Sequence, residues 1–347
     1  MGAVMTGNDV SRDQNRDPQR ASLELVRRYL ADRRPDPAEG NDVLAFAYDE
    51  LSRITLAGKH VRSSLVHASA GTVTSETAEA TGATEATEAA VAFGAAVDLL
   101  HGGFLLHNDL VDQDDLRRGE WSFHASLREA TSSAHMGHSL ALLAGDIALA
   151  GAMDLVTSPQ VPQHMAIPAT RIVVEAITES IEGELRDITH RIPQVRTSVA
   201  AVRTANAWKT TAYTFRAPLM LGAVAAGRDP HQMVPAAELL GFAYQATDDI
   251  AGFQGDAAMG RVTMVTEMLA DDPAGGVDGA VHRLAAQVRD AVRDAREALD
   301  REGLPADVVA GVGEVADLLV QRVDSAVEAL GAADVSEGWE SECRDDE

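Results

Sequence analysis

Apolar residues recur at helical spacing through almost the whole chain, and this pattern constrains the fold more than any other feature of the sequence. The strict apolar–polar alternation and the Asn-Gly turns that mark strands and hairpins are missing. The chain is therefore predicted to be all-α. The helical segments that we predict are 23–31, 41–57, 89–112, 137–156, 169–191, 197–227, 234–254, 276–303 and 305–332.

The composition changes near both ends of the chain and once near its middle. Residues 1–20 are polar, which predicts a flexible N-terminal segment, and residues 336–347 form an acidic tail that we also expect to be flexible. Residues 69–90 are rich in Ala, Thr and Glu, which indicates a surface loop that runs into a helix. Between the two ends we predict one all-α domain over residues 21–335.

Charge and cysteine content exclude several functional classes. The net charge of -25 argues against binding to nucleic acid or to anionic membrane surfaces, because both need a basic surface. The single cysteine, Cys343, excludes a disulfide framework and a thiolate metal cage. No uninterrupted run of 18 apolar residues and no hydrophobic leader are present, so we expect a cytoplasmic protein without stable membrane insertion.

An acidic cluster ends one of the apolar helices. Asn108, Asp109 and Asp112 are spaced three and four residues apart, which places their oxygen atoms on one face of a helix. Arg117 and Arg118 follow within a few residues. A solvated helix end explains such a cluster in isolation. A metal site beside an anion site explains it as well.

A second acidic pair and two lysines bear on this choice. Asp248 and Asp249 also end an apolar helix, and Lys59 and Lys209 are the only lysines in the chain. Mg²⁺ prefers oxygen ligands and is usually held by one or two carboxylates together with substrate phosphates. Cations opposite such a metal suit a diphosphate, because both neutralise phosphate oxygens. A metal–diphosphate site and solvated helix ends both remain open on this basis.

Six segments, in this order, resemble the motifs of the trans-isoprenyl diphosphate synthases, the polyprenyl synthetase family, over residues 50–265. The resemblance is specific for the fold and less so for the exact reaction. The segments are GKHVR (58–62), LLHGGFLLHNDLVDQDDLRRG (99–119), LLAGDIAL (142–149), GELRD (183–187), KTTAYTFRAPLMLGA (209–223) and YQATDDIAGFQGD (244–256).

The resemblance implies a single-domain isoprenoid synthase fold, with helices around a central cavity and two aspartate motifs that share three Mg²⁺ ions. The metal ligands that it implies are Asn108, Asp109, Asp112, Asp248 and Asp249. The side chains implied for the allylic diphosphate are Arg117, Lys209, Thr210 and Gln245, with Glu184 and Asp187 lining that side. The side chains implied for isopentenyl diphosphate are Lys59, Arg62, His101 and Arg118.

The implied reaction is the condensation of an allylic diphosphate with isopentenyl diphosphate by a short-chain prenyltransferase of terpenoid biosynthesis. Family members are usually homodimers, and the segment DLLHGGFLLH (98–107) is predicted to form the packing surface. Product length is expected to depend on the residues before the first aspartate motif, where Phe104 is bulky and Gly103 is not. The resemblance therefore implies a C15 to C20 product.

The sequence departs from the family pattern at several points. Asn108 stands where the family usually has an aspartate, and Gly252 ends the second motif where many members have another. The segment after Asp256 is also shorter than usual. These departures leave two alternatives open, a non-catalytic or regulatory homologue of the same fold and a terpene synthase-like enzyme. Lys59, Arg62 and His101 argue against the latter, which has no second substrate to bind.

Overall fold

The computed structural model describes residues 7–36, 42–71, 80–190, 192, 195 and 197–332, and these residues are almost entirely helical. The all-α prediction is confirmed. Apolar helices with small residues on their contact faces account for this architecture, because alanine and glycine let helix backbones approach closely. The sequence was interpreted as one domain, and the contacts divide the chain into two compact units, Met1–Ile177 with Ala217–His231 and Thr178–Arg216 with Gln232–Glu347.

The first unit is built around the long helix α4. Phe93, Leu99 and Leu100 of this helix are fully buried, and α4 packs against α6, α1 and α3. Its elements are α1 (Gly7–Arg33), α2 (Asp42–Thr55), α3 (Val61–Ala70), α4 (Ala80–Asp112), β1 (Leu116–Arg117), β2 (Glu120–Trp121), α5 (Phe123–Thr131), α6 (Ala134–Val156), the start of α7 (Gln163–His190) and α9 (Ala217–Ala225).

The second unit is built around helix α10, which packs against α12, α13 and a ten-residue π-helix. The π-helix interrupts the segment that the sequence predicted as one helix over 197–227. The elements of this unit are the end of α7, α8 (Val199–Asn206), the π-helix (Ala207–Arg216), the end of a 3₁₀ turn (Pro230–Met233), α10 (Val234–Ala258), α11 (Met264–Asp271), a 3₁₀ turn (Pro273–Gly275), α12 (Gly276–Arg301) and α13 (Ala306–Ala332).

The flexible N-terminal segment predicted over residues 1–20 is wrong for residues 7–20, which belong to α1. These residues carry few apolar side chains, and a helix nucleated by the packed part of α1 can extend at little cost. Residues 72–79, inside the predicted Ala/Thr/Glu loop, lie outside the described residues, as do residues 1–6 and the predicted acidic tail.

Within the part of the chain that the structure describes, two helices are long and apolar enough to cross a membrane by length and composition, although the sequence has no uninterrupted apolar run of that length. In the window within α4, 83% of residues are buried inside the protein, which identifies a core helix. In the window within α6, 44% are buried, and Leu142 and Leu143 on this helix are more than half exposed. Helix α6 therefore presents apolar side chains at the surface of its unit.

The predicted dimer surface at residues 98–107 is wrong. Leu99, Leu100 and Leu106 are at most 1% exposed, because α4 is enclosed by the helices of its own unit. The apolar pattern of this segment reflects the core of the unit. A surface for a second copy has to be sought elsewhere.

Candidate active site

The first acidic cluster lies at the C-terminal end of α4, where the chain turns into a short hairpin. Asp109 is 1% exposed, and Arg117 donates from Nε to both of its carboxylate oxygens, at 2.7 and 2.9 Å, and from Nη2 to Oδ1. Asn108 and Asp112 are half-buried. Burial raises the pKa of Asp109, although Arg117 opposes this shift. The buried carboxylate of the first motif is therefore held by the arginine that follows it.

The hairpin that carries Arg117 and Arg118 is a tight turn. Arg118 and Gly119 both have positive φ, at 54° and 84°, and they link β1 to β2 through the antiparallel pair Arg117 and Glu120. Asp115 anchors the start of the hairpin, because Arg128 of α5 donates to its two carboxylate oxygens at 2.8 and 2.9 Å. The sequence analysis missed this pair, since nothing local indicates that Arg128 returns to the motif.

Cations converge on His101, which lies two turns of α4 before Asn108. Burial first, and then the positive charges of Arg62, Arg117 and Arg118, hold the pKa of His101 well below its ordinary value. Arg118 also lies against Gly58, where a Cβ atom would be 3.1 Å from Nη2 of Arg118. The structure therefore places Arg62 and Arg118 near His101, and exposed Lys59 follows Gly58 in the chain.

Asp98 fixes the segment that bears Lys59 and Arg62. Its buried carboxylate accepts from the Ser63 hydroxyl at 2.7 Å and from the Ser63 backbone N–H at 3.4 Å. It also lies 3.3 Å from Nδ1 of His60, a residue in the left-handed region with φ 48°. Sequence analysis missed this role, although an isolated aspartate in a buried apolar helix was an available signal.

In the second unit, Lys209 lies between Glu184 and Asp187, with 2.9 Å from Nζ to each carboxylate. Burial alone would lower the pKa of Lys209, but the two carboxylates outweigh it and raise the pKa to about 12. Lys209 and Thr210 belong to the π-helix, a rare form that is frequent at functional sites. The structure therefore brings Lys209, Glu184 and Asp187 together.

Gly183 makes this arrangement possible. A Cβ atom at position 183 would lie 2.1 Å from the backbone N of Lys209 and 2.6 Å from its Cα. Helix α7 and the π-helix therefore touch backbone to backbone at this point, which sets Glu184 and Asp187 beside the ammonium group. The glycine carries no chemistry, and sequence analysis assigned it no role.

The second acidic motif holds its two aspartates differently. Asp249 is 5% exposed; its Oδ1 accepts from Gln245 Nε2 and its Oδ2 from the Met264 backbone N–H, each at 2.9 Å. Burial raises the pKa of Asp249 to about 6. Asp248 is more exposed and pairs with Arg322 of α13. Gln245 thus contacts the motif itself, and both oxygens of Asp249 already have protein donors.

The departure at Gly252 has a structural counterpart. A Cβ atom at position 252 would lie 2.8 Å from Oδ2 of Asp256, one turn further along α10. The carboxylate of Asp256 therefore occupies the space that a side chain at position 252 would need. Asp248, Gly252 and Asp256 are spaced four residues apart, which places them on one face of the helix.

The residues of both motifs fit Mg²⁺ by donor type. They offer carboxylate and amide oxygens, which are hard ligands. Within the described part of the chain, no group of three or more His, Cys, Asp or Glu side chains is close enough to hold a metal alone. Such a donor set suits an ion that keeps waters and takes its remaining ligands from substrate phosphates.

The two residues predicted to control product length lie in different surroundings. A Cβ atom at Gly103 would lie 2.8 Å from Cβ of Ala148 and 3.0 Å from the Gly145 carbonyl oxygen, so position 103 belongs to the packing between α4 and α6. Phe104 is 7% exposed in the same helix. Only Phe104 therefore remains as a candidate to limit the product.

Comparison with known proteins identifies relatives. The family model described as Polyprenyl synthetase matches residues 46–265. A short chain isoprenyl diphosphate synthase from Methanothermobacter thermautotrophicus is 26% identical over 237 residues, covering 65% of this chain and 65% of that protein. A farnesyl diphosphate synthase from Escherichia coli is 28% identical over 281 residues, covering 77% of this chain and 86% of that protein.

A solved structure shares the fold. The geranylgeranyl pyrophosphate synthase of Corynebacterium glutamicum, complexed with isoprenyl diphosphate and magnesium, aligns with a TM-score of 0.72 and 22% identity. The alignment covers 90% of this chain and 98% of that one. The architecture of the described helices is thus that of an isoprenyl diphosphate synthase.

Proposed function

The chain belongs to the polyprenyl synthetase family, and we propose that it is a short-chain trans-prenyltransferase. It condenses an allylic diphosphate with isopentenyl diphosphate to give a C15 to C20 prenyl diphosphate. The observation that carries this proposal is the position of two arginines beside the acidic end of α4, where Arg117 binds Asp109 and Arg118 lies against Gly58, next to Lys59. A cation cluster next to hard oxygen ligands suits a metal–diphosphate substrate and its anionic partner.

The carboxylates of both motifs supply the metal ligands in this proposal. Asp109, Asp112 and Asp248 are the proposed carboxylate ligands, with Asn108 and Asp249 completing the set. When bound, Mg²⁺ neutralises the charge that develops on the leaving diphosphate, and three ions per active site are proposed. Both oxygens of Asp249 accept hydrogen bonds from the protein, as both oxygens of Asp109 do, which leaves each of these two carboxylates fewer lone pairs for a metal.

The cations divide between two substrates. Arg117, Lys209, Thr210 and Gln245 hold the allylic diphosphate, and Glu184 and Asp187 orient Lys209 for this task. The cations around His101 hold the diphosphate of isopentenyl diphosphate. Burial and the neighbouring arginines lower the pKa of His101, and in this proposal its imidazole donates a hydrogen bond to that diphosphate.

The reaction needs no nucleophilic side chain. The allylic C–O bond breaks and its electron pair leaves with the diphosphate. The double bond of isopentenyl diphosphate then attacks the allylic carbon to form the new C–C bond. A proton lost from the resulting cation goes to the departing diphosphate. The apolar helix α4 supports this chemistry by excluding water from the cation.

A second candidate, a non-catalytic or regulatory homologue, is favoured by Asn108. An amide offers a neutral oxygen in place of a charged one, so the first motif binds metal more weakly. A terpene synthase-like activity is disfavoured by the cation cluster around His101, which such an enzyme would leave without a ligand. We also propose that the protein is a cytoplasmic homodimer.

Incubation with labelled isopentenyl diphosphate, Mg²⁺ and each allylic diphosphate in turn tests the proposal. Formation of a C15 or C20 product supports the prenyltransferase, and a hydrocarbon formed without isopentenyl diphosphate indicates a terpene synthase. No turnover of any substrate indicates the non-catalytic homologue.

Phe104→Ala should lengthen the product if this side chain limits chain growth. Unchanged product length at full activity would assign the limit to another residue.

The two lysines provide a sharper test of the substrate assignment. Lys59→Ala should raise the KM for isopentenyl diphosphate about tenfold and leave the KM for the allylic substrate within about twofold, as loss of one charged contact implies. Lys209→Ala should do the reverse. Equal effects of either change on both substrates would contradict the division of cations between them.

A further inference from the structure

Arg322, on the C-terminal helix α13, reaches the second aspartate motif. Its Nη2 donates to Oδ1 of Asp248, and its guanidinium carbon lies 5.2 Å from the centre of the Tyr244 ring. Tyr244 and Asp248 are one turn apart on α10, so one guanidinium spans two neighbours on the same helix face. Helix α13 packs directly against α10, which fixes the approach of this side chain.

We propose that Arg322 is an internal counter-ion of Asp248 that competes with the divalent cation and makes metal binding to the second motif depend on diphosphate. This inference rests on the proposed function, because it assumes that Asp248 is a metal ligand. A guanidinium and a divalent cation cannot share one carboxylate at close range without strong repulsion. In the absence of an anion, Arg322 therefore lowers the affinity of the motif for metal.

The exposure of the pair makes the exchange feasible. The Arg322 side chain is 43% exposed and that of Asp248 is 31% exposed, so the ion pair is partly hydrated and breaks at little cost. The face of Tyr244 keeps the guanidinium nearby after it leaves the carboxylate, through a cation–π contact. A metal–diphosphate complex brings negative charge with the metal, which offsets the repulsion and gives Arg322 a new anion to face.

Binding of Mn²⁺ by the full-length protein, followed by the loss of the free-ion electron paramagnetic resonance signal, tests this proposal without turnover. Arg322→Gln should tighten Mn²⁺ binding about three- to tenfold in the absence of any anion, as removal of one nearby charge implies. Arg322→Lys should stay within about twofold of the wild type, because it keeps the charge. With saturating inorganic diphosphate, the difference between Arg322→Gln and wild type should shrink to about twofold or less.

A matched control separates this local effect from the change in net charge. Arg289→Gln removes an arginine that pairs with Asp324 across α12 and α13, and it should leave Mn²⁺ affinity unchanged. In an Asp248→Asn background, Arg322→Gln should also have no effect. Thermal unfolding checks that each variant is folded.

The outcomes distinguish this inference from the proposed function. Equal Mn²⁺ affinity for wild type and Arg322→Gln, or the same gain in Arg289→Gln, would overturn the role of Arg322 and leave the prenyltransferase proposal standing. No Mn²⁺ binding by any variant, with or without diphosphate, would overturn both. If only Arg322→Gln binds Mn²⁺ more tightly, and Asp248→Asn abolishes this gain, the competition between Arg322 and the metal for Asp248 is established.

Discussion

Arg117 donates to both carboxylate oxygens of Asp109, so the buried acid of the first motif and the arginine eight residues later form one unit. In the substrate-bound enzyme that we propose, these two side chains take different partners. Asp109 then faces metal and Arg117 faces the allylic diphosphate. The ion pair between them keeps both charges neutralised. When a metal–diphosphate complex binds, the metal replaces Arg117 as the partner of Asp109, and the diphosphate replaces Asp109 as the partner of Arg117.

This pair predicts the cost of removing Arg117. Arg117→Ala leaves a carboxylate that is 1% exposed without its main cation, and we expect a loss of about 2–3 kcal/mol, reduced from the value for fully buried pairs because Arg117 itself is partly exposed. Urea unfolding measures this loss. Arg293→Ala, which removes an exposed arginine of α12, serves as the control and should not move the transition midpoint. A midpoint shift no larger than that of the control would refute the claim that Arg117 stabilises the protein by neutralising the buried Asp109 carboxylate.

The asparagine of the first motif predicts a gain of function. Asn108→Asp adds a charged oxygen and should lower the Mg²⁺ concentration that gives half-maximal rate by several-fold. Asp112→Ala removes a proposed ligand and should reduce kcat at least about 100-fold, more than is typical for residues that only orient a ligand. Steady-state rates over a Mg²⁺ series measure both effects. A normal rate in Asp112→Ala would exclude it as a ligand.

Gly183 provides a prediction about the Lys209 site. Gly183→Ala places a Cβ atom 2.1 Å from a backbone nitrogen, a contact that no side-chain rotation relieves. The π-helix must then shift, and Lys209 loses its position between Glu184 and Asp187. We expect KM for the allylic substrate to rise at least about tenfold, as displacement of a positioned group implies. Gly331→Ala on α13, where no atom lies within 4 Å of the added Cβ, is the control and should leave KM unchanged.

The sequence predicts the helices better than it predicts the contacts among them. Helix α4 was expected because its apolar spacing is regular, and Asp109, Lys209 and Asp248 were identified from their motifs. The π-helix was missed, because its wider turn leaves the apolar spacing nearly helical.

Long-range ion pairs were also beyond prediction from one sequence. Arg322 lies 74 residues after Asp248, and nothing in the chain distinguishes it from the other arginines of α12 and α13. Asp98 was overlooked for the opposite reason, since it lies inside an apolar stretch that was assigned to packing. Both roles depend on which helix faces pack together, and local patterns do not encode this.

His67 predicts an acid-sensitive component of stability. Burial lowers its pKa from 6.5 to about 4, and its Nε2 lies 2.9 Å from the Ser22 hydroxyl. Between these pH values the unfolded chain binds a proton that the folded protein does not, so stability is lost as the pH falls from about 6.5 to about 4, by roughly 3 kcal/mol in total. His67→Gln should flatten this part of the stability–pH profile, while His135→Gln at an exposed position should not. Parallel profiles for wild type and His67→Gln would show that His67 does not carry the effect.

The exposed face of α6 predicts how two copies meet. Met136 and Leu143 are seven residues apart and 44% and 57% exposed, and Leu142 beside them is 51% exposed. This spacing gives an apolar stripe along one helix, which a second copy of the same helix can cover in a two-fold symmetric interface. Leu143→Asp should therefore raise the dimer dissociation constant at least about 100-fold, because it places a charge in the apolar interface. Sedimentation velocity over a concentration series measures this change, with Leu318→Asp on exposed α13 as the control. A wild-type protein that remains monomeric at micromolar concentration would contradict the dimer, and flotation of that monomer with lipid vesicles would assign the stripe on α6 to a membrane surface instead.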